Sequence, residues 1–105
     1  MSVQSLFSVK GKVALVTGGS RGIGEMIAAG LLANGAKVYI SSRKAQACDE
    51  AAERLMKNYG GECIPLPANV AEIDGIDALV AEISKREKHL DILINNAGVS
   101  WGAPI

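Results

Sequence analysis

The sequence predicts an α/β fold, a doubly wound sheet of parallel strands with helices on its faces, of which this chain supplies the first half. Apolar, β-branched segments alternate with segments whose apolar residues recur every third or fourth position, in the order βαβαβαβ. Four glycines fall within seven residues between the first strand and the first helix. Strands that alternate with helices are joined by right-handed crossovers, so this order predicts one parallel sheet.

The four predicted strands are short, apolar and rich in β-branched residues. They cover residues 12–17, 37–41, 62–67 and 90–95. The first is apolar almost throughout, as expected of a strand that is covered on both faces. In the third, Pro65 and Pro67 lack the N–H group that a strand residue donates, so we expect limited pairing at its far end.

Three helices are predicted between the strands from stripes of apolar side chains. The stripes are Ile23, Ile27 and Leu31; Cys48, Ala52, Leu55, Met56 and Tyr59; and Ile76, Leu79, Val80 and Ile83. Gly35 is placed to cap the first helix, and the pair Gly60–Gly61 to end the second. We expect each stripe to face the sheet.

Length and composition indicate one small domain over residues 1–105, because 105 residues are too few for two. Eleven basic residues balance eleven acidic ones, so no strong field draws the chain to nucleic acid or to a membrane surface. Cys48 and Cys63 are too few for a disulfide framework or a zinc site and are predicted to be buried hydrophobes. Because the start lacks the apolar core of a secretion signal and no apolar run could span a bilayer, we expect a cytoplasmic protein.

The glycine-rich junction between the first strand and the first helix is suited to binding a phosphate. Backbone N–H groups are free in the first turn of a helix, and the helix dipole favours an anion there. Gly18 and Gly19 permit a tight turn with positive φ. Gly22 lets the backbone approach a pyrophosphate, and Gly24 lets the helix pack closely on the strand.

The glycine-rich stretch has two other interpretations besides a dinucleotide site. A P-loop is excluded because no Lys-Ser or Lys-Thr follows the last glycine. A glycine-rich turn without any ligand would be as good an interpretation of the glycines alone. The buried strand before them and the amphipathic helix after them favour nucleotide binding.

The chain resembles the short-chain dehydrogenases/reductases. The stretch "TGGSRGIG" (17–24) is similar to the TGxxxGxG cofactor loop of that family, and "NNAG" (95–98) to the motif after its fourth strand. Within the family, "TGGSRGIGEMIAAGLL", "SSRKAQAC" and "NNAGVSWGAP" are similar to 3-oxoacyl-(acyl carrier protein) reductases of the rhamnolipid-pathway type. The resemblance implies a Rossmann-type fold and hydride transfer between NADPH and a small carbonyl or alcohol substrate, with a 3-oxoacyl thioester as a candidate. We expect the parent enzyme to be a homo-oligomer.

The end of the second strand indicates NADP(H) rather than NAD(H). An acidic residue usually binds the ribose 2′-hydroxyl of NAD at this position, where the chain has Ser42 followed by Arg43. A guanidinium binds a 2′-phosphate through charge-assisted hydrogen bonds, and Arg21 is placed to add a second positive charge. The resemblance implies the same roles for both arginines. Taken alone, Arg43 and Lys44 would be better explained as the solvated start of a helix, but two arginines together with the missing acidic residue favour NADP(H).

Further cofactor-side residues follow from the resemblance. Asn69 and Val70 match the position after the third strand that meets the adenine ring, and Asn96 is placed near the adenosine ribose. Asn95 is expected to tie neighbouring strands together. The complete predicted cofactor-binding set is Gly18, Gly19, Ser20, Arg21, Gly22, Ile23, Gly24, Arg43, Asn69, Val70, Asn96 and Gly98, with no metal ligand.

The catalytic Ser, Tyr and Lys of the family are absent from these 105 residues. The family pattern is Y-x-x-x-K, in which the lysine lowers the pKa of the tyrosine. Tyr39 is followed at that spacing by Arg43, and Tyr59 by Cys63. His89 is predicted to be a solvated helix end. We therefore expect the N-terminal half of an oxidoreductase, inactive by itself; the alternative is a non-catalytic nucleotide-binding module or an inactive truncated isoform.

Overall fold

The computed structural model describes residues 8–18, 22–69 and 72–96. The strands are β1 (Val13–Thr17), β2 (Lys37–Ser41), β3 (Cys63–Pro65) and β4 (Ile92–Asn95), and the helices are α1 (Gly22–Ala33), α2 (Ala45–Tyr59) and α3 (Ile73–Arg86). This order confirms the predicted βαβαβαβ pattern, and each strand lies within its predicted segment. Glycines with positive φ follow α1 at Gly35 and α2 at Gly60, as predicted.

The four strands form one parallel sheet in the order β3-β2-β1-β4. The crossovers through α1 and α2 move the chain in one direction across the sheet, whereas the crossover through α3 returns it to the other side of β1. The strand order therefore reverses between β1 and β4. In the register, Thr17 of β1 lies between Ser41 of β2 and Asn95 of β4, so the carboxyl ends of three strands meet at one edge.

The core consists of two apolar clusters, one on each face of the sheet. Successive residues of a strand point to opposite faces, so Val16 and Ile40 pack under α1 and α2 while Leu15 and Tyr39 pack under α3. All five residues of β1 are buried. The continuous apolar character of this strand therefore follows from its central position, with helices on both sides.

The helix stripes were predicted only in part. In α1 the buried residues are Gly24, Ala28 and Leu32, one position beyond the predicted stripe, and Ile23 is 66% exposed. Small residues let α1 approach the sheet, and the larger Ile27 and Leu31 pack only partly against it. In the other two helices the predicted stripes were too wide, since four of their members are exposed: Met56, Tyr59, Ile76 and Val80.

The prolines of β3 do not interrupt its contact with β2. The paired ladder ends at Pro65 as expected, but the N–H groups of Leu66 and Ala68 donate to carbonyls of β2 and the residue after it, at 2.9 and 3.0 Å. Pro65 and Pro67 alternate with these donors along the chain. Since β3 is an outer strand among the described residues, the N–H groups that the prolines lack fall on the side away from β2. The predicted limit on pairing is therefore confirmed for the ladder, while two further backbone hydrogen bonds continue the contact with β2 and the residue after it.

Gly24 sets the distance between α1 and the end of β1. A Cβ at Gly24 would lie 2.0 Å from the carbonyl oxygen of Gly18 and 2.9 Å from the side-chain nitrogen of Asn96. No side chain fits at such distances, so the predicted close packing of the helix on the strand is confirmed. Gly30, in the same helix, faces open space.

The end of α3 is attached to β2 by a partly buried polar group. The hydroxyl of Tyr39 donates to Oε2 of Glu87 at 2.5 Å, and Nζ of Lys37 lies 2.6 Å from the same oxygen. Hydrogen bonds from Lys37 and Tyr39 lower the pKa of Glu87, and the bond to Glu87 raises the pKa of Lys37. Burial, and then the bond to Glu87, raises the pKa of Tyr39. The carboxylate is therefore the form that holds the helix end.

Gly24→Ala is expected to destabilise the chain by about 2–3 kcal/mol, because the Gly18 carbonyl must move to admit a methyl group. Gly30→Ala is the matched control and should be neutral or stabilising by up to about 1 kcal/mol, since alanine favours a helix. Urea unfolding of the three proteins measures the difference. Equal stabilities of the two variants would contradict the close contact.

Glu87→Gln is expected to lower the free energy of unfolding by about 1–2 kcal/mol at neutral pH, because charge-assisted hydrogen bonds are lost. A carboxylate with a lowered pKa stabilises the fold above its ordinary pKa near 4.5, and this stabilisation disappears as the pH falls through the lower folded value. The variant and the parent should therefore converge in acid. Glu82→Gln is the control, because Glu82 is partly exposed and its described ion pairs both lie within α3. It should change the free energy of unfolding little. An equal loss of stability in both variants would contradict the role given to Glu87.

Candidate functional site

The carboxyl ends of β1 and β4 are joined by the hydroxyl of Thr17. This hydroxyl donates to Oδ1 of Asn95 at 2.9 Å and accepts the backbone N–H of Asn96 at 2.8 Å. The expectation that Asn95 ties neighbouring strands is confirmed. The bond also fixes where the backbone of Asn96 leaves β4, directly beside the loop that follows β1.

Backbone hydrogen bonds join the loops after β1, β2 and β3 along the same edge. The N–H of Gly18 donates to the carbonyl of Ser41 at 2.7 Å, and the N–H of Ala68 donates to the carbonyl of Ser42 at 3.0 Å. Gly18 has a φ of +69°, as predicted for a tight turn at this position. The ends of all four strands are therefore linked into one surface at the point where the strand order reverses.

Gly22 begins α1 above this edge. Its φ is +63°, and a Cβ built there would meet no atom within 4 Å. A side chain at position 22 would therefore meet no described atom, and the first N–H groups of the helix lack intrahelical acceptors as in any helix. The arrangement is that of an anion site at a helix N-terminus, reached without steric obstruction by a side chain at position 22.

Two basic side chains are exposed at the carboxyl edge, and the acidic side chain near the start of α1 is paired. Arg43 and Lys44 are exposed between the end of β2 and the start of α2, and the hydroxyl of Ser42 donates to the carbonyl of Lys44 at 3.3 Å. Glu25, in the first turn of α1, is bound by two nitrogens of Arg54 at 2.7 and 2.8 Å. The acidic group nearest the helix start is therefore neutralised by an ion pair.

Asn69 follows β3 at the same edge and contacts the start of α3. Its carbonyl accepts the N–H of Glu72 at 3.2 Å, and a Cβ at Gly75 would overlap it. Gly75 was not identified from the sequence. A glycine near the start of a predicted helix could have pointed to this close approach. The contact is with the backbone of Asn69, however, so no pattern of side chains in the sequence indicates it.

The other predicted positions divide into two groups. Ile23 is exposed at the start of α1, where it is available to a ligand rather than to the core. Gly19, Ser20, Arg21, Val70 and Gly98 lie outside the described residues. The described part of the predicted set, namely Gly18, Gly22, Ile23, Gly24, Arg43, Asn69 and Asn96, lies along the carboxyl edge or in the helix turn above it.

The two cysteines and the histidine have the surroundings that the sequence predicts for them. Cys48 and Cys63 are free and buried as predicted, and burial raises the pKa of both thiols, that of Cys63 to about 12. His89 is largely exposed, with Asp91 3.3 Å away, as expected of a solvated position. Within residues 8–18, 22–69 and 72–96, no group of three metal-binding side chains and no helix able to cross a membrane is found.

A groove of about 280 Å³ lies between α3 and β4. Its walls are mostly apolar and include Val80 of α3 and Leu93 of β4. It reaches the carboxyl edge at Thr17 and Asn95, but no residue of the glycine loop that the structure describes lines it. We assign the candidate site to the carboxyl edge because the free helix N-terminus and the converging strand ends are there.

The chain matches a protein-family model and several known relatives over most of its length. The short chain dehydrogenase model matches residues 12–105. The rhamnolipids biosynthesis 3-oxoacyl-(acyl-carrier-protein) reductase of Pseudomonas aeruginosa is 50% identical over 99 residues, which are 94% of this chain and 38% of that protein. A 3-oxoacyl-(acyl-carrier-protein) reductase of Synechocystis is 41% identical over 90 residues, which are 85% of this chain and 36% of that protein. The chain thus spans well under half the length of these relatives.

Two solved structures share the fold and contain NADP(H). The Pseudomonas aeruginosa RhlG/NADP active-site complex has a TM-score of 0.83 and 48% identity, over 92% of this chain and 38% of that one. L-sorbose reductase from Gluconobacter frateurii, complexed with NADPH and L-sorbose, has a TM-score of 0.83 and 37% identity, over 88% of this chain and 35% of that one. The Rossmann-type fold is therefore confirmed, and the chain belongs to the short-chain dehydrogenase family.

Proposed function

We propose that residues 1–105 form a domain that binds NADP(H) at the carboxyl edge of the sheet, as the N-terminal part of a reductase that transfers hydride between NADPH and a carbonyl or alcohol. The observation that carries the proposal is the open, positive-φ start of α1 at Gly22, located where the strand order reverses. The relatives solved with NADP(H) support the choice of ligand.

The pyrophosphate would bind to the glycine loop. The first N–H groups of α1 have no acceptor within the helix, and the positive end of the helix dipole favours an anion there. Gly18 turns the backbone sharply away from β1, and Gly24 brings the helix start down onto that turn. We assign the remaining loop contacts to Gly19, Ser20, Arg21 and Ile23.

The 2′-phosphate would bind to Arg43, with Arg21 as a second partner. Arg43 is exposed directly after β2, and the chain has Ser42 where NAD-binding folds place a carboxylate. Glu25 is held by Arg54, so its charge is compensated. These features favour a phosphate over a free 2′-hydroxyl, because a guanidinium attracts the dianion and Ser42 stands where a carboxylate would repel it.

The adenosine would lie across the ends of β3 and β4. Asn69 follows β3, and Asn96 leaves β4 beside the glycine loop. We propose that Asn69 with Val70 contacts the adenine, and that Asn96 with Gly98 contacts the ribose side. The hydrogen bonds of Thr17 hold Asn96 close to the helix start, so the proposed adenosine and pyrophosphate contacts keep a fixed position relative to each other.

The substrate proposed for the whole protein is a 3-oxoacyl thioester, supported by the two 3-oxoacyl-(acyl-carrier-protein) reductases that the chain resembles. When bound, NADPH supplies the hydride that reduces a carbonyl carbon. The 105 residues contain no Y-x-x-x-K sequence to supply the proton. We therefore propose that this polypeptide by itself binds NADPH without oxidising it.

The whole protein is also proposed to be a cytoplasmic homo-oligomer. Its free, buried thiols are consistent with a reducing compartment. Its balanced charge gives no support to nucleic acid as a partner, so a small-molecule substrate is the partner proposed.

The cofactor preference can be tested by titration calorimetry with NADPH and NADH, which requires no catalysis. The unaltered chain should bind NADPH more tightly. Arg43→Asp should weaken NADPH binding by about 30-fold or more, equivalent to about 2 kcal/mol, because one phosphate partner is lost and a repulsive charge is added. Lys57→Asp makes the same charge change at the far end of α2 and should leave the preference intact. Equal affinity of the unaltered chain for both cofactors would defeat the assignment.

The phosphate site can be tested at Gly22. Gly22→Val places a branched side chain in the open space before the helix start and should abolish detectable NADPH binding. Gly11→Val is the matched control, because Gly11 also has a positive φ and open surroundings but precedes β1 at the opposite edge. Both variants carry similar backbone strain. If both lose affinity equally, or if Gly22→Val binds normally, the glycine loop is not the phosphate site.

A further inference from the structure

A second helix approaches the carboxyl edge as closely as α1 does. A Cβ at Gly75, in the first turn of α3, would lie 2.0 Å from the carbonyl oxygen of Asn69, 2.8 Å from its carbonyl carbon and 3.2 Å from its nitrogen. Real Cβ atoms essentially never come within 3.0 Å of a heavy atom in a residue that is not their own or a chain neighbour. Residue 75 therefore admits no side chain unless Asn69 or the helix moves by about 1 Å or more.

Glycine inside a helix is unfavourable, so its presence calls for a local reason. The structure describes three helical glycines beyond the first residue of their helix: Gly24, Gly30 and Gly75. Gly30 faces open space, whereas Gly24 contacts the backbone after β1 and Gly75 the backbone after β3. Gly24 and Gly75 thus each allow a helix to pack against a loop that follows a strand at the carboxyl edge, the loop after β1 and the loop after β3.

Asn69 is confined from two directions. On one side, the N–H of Glu72 donates to its carbonyl at 3.2 Å and Gly75 packs against its backbone. On the other side, the N–H of the preceding residue, Ala68, donates to the carbonyl of Ser42 at 3.0 Å. The start of α3 therefore fixes Asn69 beside the loop that carries Arg43.

We propose that Gly75 is a positioning residue for the adenosine half of the cofactor: it sets the place of Asn69 by allowing α3 to lie directly against its backbone. The inference rests on the proposed NADP(H) site and adds a residue that does not itself touch the ligand. Gly75→Ala displaces Asn69 without changing any group that would contact the cofactor, so its effect on affinity is indirect.

The test uses Gly75→Ala with Gly30→Ala as the matched control. Titration calorimetry of the full chain with NADPH and with adenosine 2′,5′-bisphosphate gives the Kd and, through the stoichiometry, the folded fraction. Gly75→Ala should weaken both ligands by about the same factor, about tenfold, because the displaced contact belongs to the part that they share. Gly30→Ala should bind both normally. A lower stoichiometry with unchanged Kd values would mean a structural role only and would overturn the proposal.

A second variant covers the case in which Gly75→Ala does not fold. Asn69→Ala keeps the glycine contact but removes the side chain that Gly75 is proposed to position. About a tenfold weaker Kd for adenosine 2′,5′-bisphosphate supports the proposal, and an unchanged Kd overturns it. Failure of the unaltered chain and of Gly30→Ala to bind NADPH would instead refute the proposed function. If the unaltered chain, Gly30→Ala and Gly75→Ala all bind NADPH with the same Kd, only the positioning role of Gly75 is refuted.

Discussion

The structure depends on the contact between the start of α1 and the end of β1. The carbonyl oxygen of Gly18 occupies the position at which a side chain on residue 24 would begin, so the helix can approach only because that residue is glycine. Asn96 lies against the same point, held through the hydroxyl of Thr17. One close contact thus fixes the helix N-terminus, the turn after the central strand and the exit from β4 relative to one another.

Polar groups, rather than the volume of a groove, favour the carboxyl edge as the candidate site. The groove between α3 and β4 is mostly apolar and offers few groups to orient a polar ligand. The carboxyl edge has the N-terminus of α1, an exposed Arg43 and the ends of all four strands. A dinucleotide carries charged phosphates, so oriented donors and a compensating charge outweigh apolar area in deciding where it binds.

The sequence predicted the order of strands and helices along the chain and the roles of Gly18 and Gly24, because both depend on local signals: apolar runs, helical periodicity and a glycine cluster at a strand–helix junction. It placed Ile23 on the wrong face, because periodicity marks large side chains whereas α1 packs through its small ones. Gly75 and the bond between Tyr39 and Glu87 were missed for another reason. Their partners are distant in sequence or belong to the backbone, so only the folded geometry reveals them.

The most direct test of the account is to record ¹H–¹⁵N NMR spectra of the chain while NADPH is added. If the cofactor binds above the contact between α1 and β1, the amide signals of Gly18, Gly22 and Asn96 should shift most. Those of Val80 and Leu93, in the groove between α3 and β4, should stay nearly unchanged. Shifts concentrated at Val80 and Leu93, with Gly22 unaffected, would contradict the central claim that the glycine-rich helix start holds the cofactor.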